Sequence, residues 1–354
     1  MARLIMALFG GEQGRLRRKI GGLYLLLAAF NLGVWAWAVA AFHHYPLLMS
    51  TSLLAYSLGL RHAADADHIA AIDNVTRKLM RGGKPPLTVG LMFSLGHSTI
   101  VILASAGIAA TATTLHTRFA GFREIGGVIG VLVPTLFLFA LALINLVTLR
   151  SAIRALRRVR RGEPHADENV DEQPEGRGFL ARLFLPLFHL ITKSSHMYIL
   201  GVLFGLGFDT ATEIGLLGIS AASSTHGMAI WLILVFPALF TAGMALVDTT
   251  DNILMYGVYG WALNNPLHKL HYNIAITLIS VVIALAVSSI QGLRLLVGKL
   301  RFGGGFWDLI GHLNDNFATI GYLIISVFLV SWLLSAVRYW WKALRQPKVT
   351  SRQI

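Results

Sequence analysis

The sequence predicts an all-α protein of the membrane-spanning class, and three observations predict it. Hydrophobic residues make up 55% of the 354-residue chain and charged residues 13%, where a soluble domain carries about 25%. Apolar runs of the ~20 residues that a bilayer-spanning helix needs recur about eight times. Tryptophan and tyrosine stand near the ends of several runs, at Trp35, Trp37, Tyr339, Trp340 and Trp341, as in the aromatic belts of membrane–water interfaces.

Taken in order, the apolar run 4–10 is too short to span, and no small-residue cleavage site follows it. The first span, 20–41, is preceded by Arg15, Arg17, Arg18 and Lys19, which places the N-terminus in the cytoplasm. The second, 47–72, qualifies only if its charges face protein or water. The third and fourth are 87–110 and 125–149, the fifth to eighth 197–220, 226–247, 274–290 and 317–340. Counting through them puts Arg77, Lys78, Arg81 and Lys84 inside, with Lys342, Arg345 and Lys348 of a cytoplasmic C-terminus. The interval 291–316 falls outside and yet carries Arg294, Lys299 and Arg301, against that pattern. Residues 1–354 read as one polytopic membrane domain, in bacteria an inner-membrane one. Its two halves are joined by a cytoplasmic loop, 150–193, basic at first ("RSAIRALRRVRR") and then acidic with Pro and Gly ("GEPHADENVDEQPEG"), as flexible linkers are.

The formal charge of +13 sits in short loops beside the spans, where it orients helices and meets lipid headgroups; nucleic acid is excluded as a partner. The absence of cysteine rules out disulfides and removes thiolate from any metal site. "GL" at 59–60 with its acidic sequel matches "GLGFDTATEI" at 205–214, and "FSLGHS" at 93–98 matches "FTAGMA" at 240–245 at nearly the same offset. The spans concerned run in opposite directions, so the halves read as two inverted structural repeats, a plan common in secondary transporters.

The stretch "LGLRHAADADHIAAIDN", 58–74, carries Arg61, His62, Asp65, Asp67 and His68 inside an apolar span. Ionisable residues in a membrane segment are functional by default. On a regular helix, with His62 at zero, Asp65 lies at roughly −60° and His68 at roughly −120°, one face, while Asp67 lies at roughly +140°. Arg61 stands four residues before Asp65 and can pair with it. Asp67 joins the face only if the backbone unwinds; otherwise it serves another partner, such as His97. Two imidazoles with carboxylates and no sulfur suit nickel, cobalt or zinc; the competing reading is a buried salt-bridge network that only holds helices together.

Other polar residues extend this pattern. His97 sits in "SLGHST" as a metal ligand, a proton carrier or a packing histidine. Asp209 and Glu213, four apart, repel unless a cation, a proton or water lies between. Asp248 and Asp251, at the inner end of the sixth span, are either solvated caps or an exit site. Asn31 either lines the site beside Ala64 or bonds a neighbouring helix. His43 and His44 belong to a solvated external loop.

"RHAADADHIAAIDNVTRK" resembles the signature of the nickel/cobalt transporter (NiCoT) family: a histidine, four residues, then Asp-His, here His62, Asp67 and His68. "FSLGHST", "LGFDTATEI" and "FTAGMALVDTTD" are similar to three further motifs of that family, and the likeness is greatest to high-affinity nickel permeases of the HoxN type. The resemblance implies eight helices and uptake of Ni²⁺, in some members Co²⁺, as transported substrate, with no cofactor. Ala64 stands where the family commonly has a bulky apolar residue. Two other classes compete. An intramembrane metal-dependent enzyme would call for a His-Glu-x-x-His helix, which the sequence lacks, so no enzymatic activity is expected. As the membrane subunit of an ATP-driven metal importer, the chain would need another chain for hydrolysis, since no phosphate loop occurs in it. A divalent ion gains about 4.6 kcal/mol per 100 mV of membrane potential, roughly three orders of magnitude in concentration ratio.

Overall fold

A computed structural model describes residues 13–110, 116–161, 191–206, 211–225, 228–262, 266–300, 304–317, 319–327 and 330. Its elements are α1 (Gln13–Phe42), α2 (Pro46–His62), α3 (Ala66–Arg81), α4 (Val89–Ala110), α5 (His116–Arg160), α6 (His196–Gly205), α7 (Ala211–Thr225), α8 (Ile230–Ile233), α9 (Val235–Ala262), α10 (Pro266–Leu300) and α11 (Gly305–Asp315), followed by a helical stretch at 319–327. No strand occurs among the described residues. Among the described residues, five helical segments are long and apolar enough to cross a membrane: Gly14–Phe42, Val89–Ala110, Val131–Arg154, Ile230–Gly257 and Thr277–Leu295. The chain is a multi-pass membrane protein. The acidic half of the 150–193 loop, the run 4–10 and the basic tail lie outside the described residues.

α4 and α9 form the centre. α9 packs on α1, α2, α3 and α4, while α4 packs on α6 and α7. Without a hydrophobic drive between helices in lipid, close approach rests on small residues. Gly59 of α2 abuts the Phe240 carbonyl of α9, and Gly243 of α9 abuts the Tyr56 carbonyl of α2, with no room for a β-carbon at Gly59 and little at Gly243. Gly96 of α4 and the Tyr198 carbonyl of α6, and Gly201 of α6 and the Phe93 carbonyl of α4, close the second pair the same way. Aromatic rings fill the space around these crossings: Phe42 stacks on Phe236 at 5.5 Å, and Phe93 meets Phe204 edge-on at 5.1 Å.

The expectation of one regular helix across 47–72 is corrected: α2 ends at His62 and α3 begins at Ala66. The Ala64 N–H donates to the Arg61 carbonyl (3.0 Å) and the Asp65 N–H to that of His62 (2.9 Å), i→i−3 bonds that tighten the last turn. Asp65 then adopts extended backbone (φ −65°, ψ 142°). Neither Pro nor Gly causes the break. The Gly321 backbone lies against the Ala64 carbonyl, where a β-carbon would not fit, and the His62–Asp65 side-chain bond spans the turn. The fifth predicted span divides as well, into α6 and α7, and residues 207–210 between them, Asp209 included, lie outside the described residues.

Most of the interval 291–316 is helical. α10 continues through Leu300, and Gly305–Asp315 forms α11. The surplus charge there is partly neutralised, since Arg294 pairs with Asp315 at 3.4 Å.

Candidate metal centre

Breaking the helix at residues 63–65 brings His62, the last residue of α2, and His68, in the first turns of α3, against each other with ring centroids 4.6 Å apart. His97 of α4 completes a triangle, at 4.8 Å from His62 and 5.0 Å from His68. All three are buried, and one ligating nitrogen from each lies within 4.8 Å of the others. Two nitrogens bound to one metal ion at ~2.1 Å stand at most ~4.2 Å apart, so closing on an ion takes about half an ångström.

Glu213, in the first turn of α7 and 2% exposed, supplies a carboxylate to the same point. Its Oε1 is 2.9 Å from His97 Nε2 and 4.0 Å from His62 Nε2. His62 Nε2 and His97 Nε2 are themselves 3.0 Å apart. Two ring nitrogens this close share one proton at most or face a cation. Phe240 and Phe93 wall the group, against His62 and His68 at 5.5 and 4.8 Å, and keep it in low dielectric, where unpaired charge is expensive.

The aspartates stand behind the imidazoles. His62 Nδ1–H donates to Asp65 Oδ2 at 2.9 Å, which fixes the tautomer and leaves the Nε2 lone pair facing the triangle. His68 Nδ1 is 3.5 Å from Asp248 Oδ1, too long for a strong bond. His68 Nδ1, His97 Nδ1 and both Asp248 carboxylate oxygens are buried without a hydrogen bond. Buried groups of this kind are rarely left so.

Several expectations change here. Arg61 is exposed, and among the described residues no ion pair joins it to Asp65, whose Oδ2 is taken by His62. Asp67 neither enters the triangle nor reaches His97. Its Oδ1 accepts from the His68 backbone N–H (3.0 Å) and its Oδ2 from Gln291 Nε2 of α10 (2.9 Å). Asp248 and Asp251 are not solvated caps: α9 runs on to Ala262, and they are 0% and 8% exposed. Both oxygens of Asp251 are buried and unpartnered. Asn31 donates to the Leu27 carbonyl of its own helix and ties neighbouring helices, donating to the Ala242 carbonyl of α9 and accepting from the Tyr56 hydroxyl of α2. His43 and His44 are exposed, with their rings 3.7 Å apart.

A second buried polar group escaped sequence reasoning although two of its members close the stretch 58–74. Asp73 of α3 accepts from the Tyr259 and Ser280 hydroxyls and faces Arg77 Nε at 3.5 Å. Arg77 donates to Asn74 Oδ1, which also accepts from Asn145 of α5. The i, i+1, i+4 spacing of Asp73, Asn74 and Arg77 was the available signal.

Residues 48–338 match the family described as NicO, high-affinity nickel-transport protein. A high-affinity nickel transport protein of Cupriavidus necator is 57% identical over 339 residues, covering 96% of this chain and 97% of its own. The nickel transporter NixA of Staphylococcus aureus is 44% identical over 302 residues, 85% and 88% of the two chains. The cobalt transport protein NhlF of Rhodococcus rhodochrous is 37% identical over 327 residues, 91% of each. No solved structure matches the chain.

Proposed function

The chain belongs to the high-affinity nickel-transport protein family, a transport family and not an enzyme class, and from that premise we propose that it is a secondary transporter. Its cargo is Ni²⁺, with Co²⁺ as a second substrate, taken up across the bacterial inner membrane through an intramembrane His/Asp/Glu site. The observation that carries this reading is the buried triangle of His62, His68 and His97 with the Glu213 carboxylate against it. Three neutral nitrogens and one carboxylate, without sulfur, favour nickel or cobalt over magnesium or copper(I). In this reading His62, His68, His97 and Glu213 hold the ion. Asp65 orients His62, and Asp248 stands behind His68. Asp67 supports the start of α3, while Asp251, one turn along α9 from Asp248, and Asp209 belong to the path on either side.

Eight spans, with both termini and the 150–193 loop cytoplasmic, fit the basic flanks. α2–α3 then serves as a discontinuous span whose break lies at the site. The matching closure of α2 on α9 and of α4 on α6 through glycines supports two inverted repeats around a central site. The membrane potential drives accumulation, and ligands that must be deprotonated release protons as the ion binds.

The test is uptake of radioactive nickel by cells expressing the chain, in competition with excess Co²⁺, Zn²⁺ or Mn²⁺. Uptake suppressed by Co²⁺ and little affected by Mn²⁺ is expected. Equal suppression by all three ions contradicts a nitrogen-rich site.

A further inference from the structure

Gln291 is 5% exposed in α10, far in sequence from every other residue of the site. Its amide does one visible thing: Nε2–H donates to Asp67 Oδ2 at 2.9 Å. Its Oε1 is buried without a hydrogen bond, an unfavourable condition that packing alone gives no reason to keep. An apolar residue of the same length would fill the space without it.

What the bond secures is the start of α3. The first N–H groups of a helix have no partner within it, and the break at 63–65 places that exposed end beside the candidate metal centre. Asp67 Oδ1 takes the N–H of His68 at 3.0 Å, a negative charge at the positive end of the helix. Its other oxygen is held by Gln291. A chain of two hydrogen bonds therefore runs from α10 through Asp67 to the backbone of His68, whose ring is one corner of the triangle. At Gly292, next along, an added β-carbon would stand 3.2 Å from the Thr135 side chain of α5, so α10 packs closely on α5 at this level.

We propose that Gln291 is a positioning residue for the transported cation, setting the His68 imidazole through Asp67 and thereby the affinity and the nickel-to-cobalt preference of the site. The proposal rests on the histidine-triangle reading given above. Partners one bond removed from a metal ligand typically change affinity by about 10–100-fold.

The experiment is calorimetric titration of Ni²⁺ and of Co²⁺ into detergent-purified, monodisperse protein: wild type, Gln291→Met, Asp67→Ala, the double variant and His62→Ala. Gln291→Leu replaces Gln291→Met should the latter fail to fold. Gln291→Met is expected to weaken nickel binding about tenfold and to shift the Ni²⁺:Co²⁺ affinity ratio. The double variant is expected to bind no more weakly than Asp67→Ala alone, because both substitutions cut the same chain. Wild-type affinities and ratio in a folded Gln291 variant, or losses that add in the double variant, overturn the role of Gln291. Nickel binding unchanged in His62→Ala overturns the triangle itself and the proposal with it, and the two failures are told apart by that variant.

Discussion

Two buried polar clusters share α3, and they differ in how their members are satisfied. His68 and Asp73 are five residues apart, about 7.5 Å along the axis. Around Asp73 most groups answer one another: a carboxylate takes two hydroxyls and faces a guanidinium at 3.5 Å, and that guanidinium's carbonyl acceptor also receives a second amide, while Arg77 Nε and Nη1 make no hydrogen bond. Around His68 they do not. Ring nitrogens converge on each other, Nδ1 atoms of His68 and His97 lack hydrogen bonds, and neither Asp248 carboxylate oxygen has one, the His68 Nδ1 standing 3.5 Å from Oδ1. In a membrane interior the first pattern ties α3 to α5, α9 and α10. The second costs free energy until a cation or proton is supplied. Burial alone does not separate structure from function here; what differs is the carboxylate, which at Asp73 accepts two hydroxyls and at Asp248 accepts no hydrogen bond.

Each cluster can be broken separately. The largest effect is expected at the unsatisfied one: His62→Ala, His68→Ala, His97→Ala or Glu213→Gln should each nearly abolish nickel uptake per unit of folded protein, because ligands act as a unit. Cellular uptake normalised to membrane protein checks this. A network that only held helices would instead show lost folding, with uptake retained by whatever folds.

At the satisfied cluster the loss should be of stability. Removing one member of a buried pair leaves the other uncompensated, at about 3–5 kcal/mol. Asp73→Ala or Arg77→Ala should therefore lower the thermal unfolding midpoint and the yield, while nickel affinity of the folded fraction stays near wild type. Affinity lost in parallel with a preserved midpoint would move Asp73 and Arg77 onto the ion's path.

How much of this was legible in the sequence follows from which forces are local. Apolar runs announce helices because hydrocarbon admits no unsatisfied backbone, so an all-helical membrane chain could be read directly. His62 and His68 could be read as neighbours because six residues of helix bring them near one face. The break at 63–65 could not. "AAD" is a helix-compatible sequence, and the backbone that packs against the break, at Gly321, is some 250 residues away. Reading a straight helix made Asp65 a fellow ligand, where the turned backbone puts it behind His62. Gln291 was invisible for the same reason: its meaning is one tertiary hydrogen bond. Solvated caps stayed open as one of two readings of Asp248 and Asp251 because the sixth span was ended fifteen residues before α9 ends at Ala262.

A smaller effect tests the close helix crossings. Gly59→Leu and Gly96→Leu should separate α2 from α9 and α4 from α6, since no β-carbon fits at either. Overpacking typically costs about 1–3 kcal/mol, read as a lowered unfolding midpoint. Equal losses at the two sites fit the repeat reading; a loss at one alone speaks against it. The smallest is expected at the surface: Arg294→Ala removes the pair with Asp315, in which both side chains are solvent-exposed to a substantial degree, and should change the midpoint by no more than a surface pair is worth, up to about 1 kcal/mol.

The central claim is that the unsatisfied histidines hold the ion. It is tested most directly by X-ray absorption at the nickel edge on purified protein loaded with one equivalent of Ni²⁺. Imidazole scattering from three rings, no sulfur, and the loss of one ring in His97→Ala are the result expected. A shell of oxygen alone, or a ring count unchanged in both His97→Ala and His62→Ala, would contradict it.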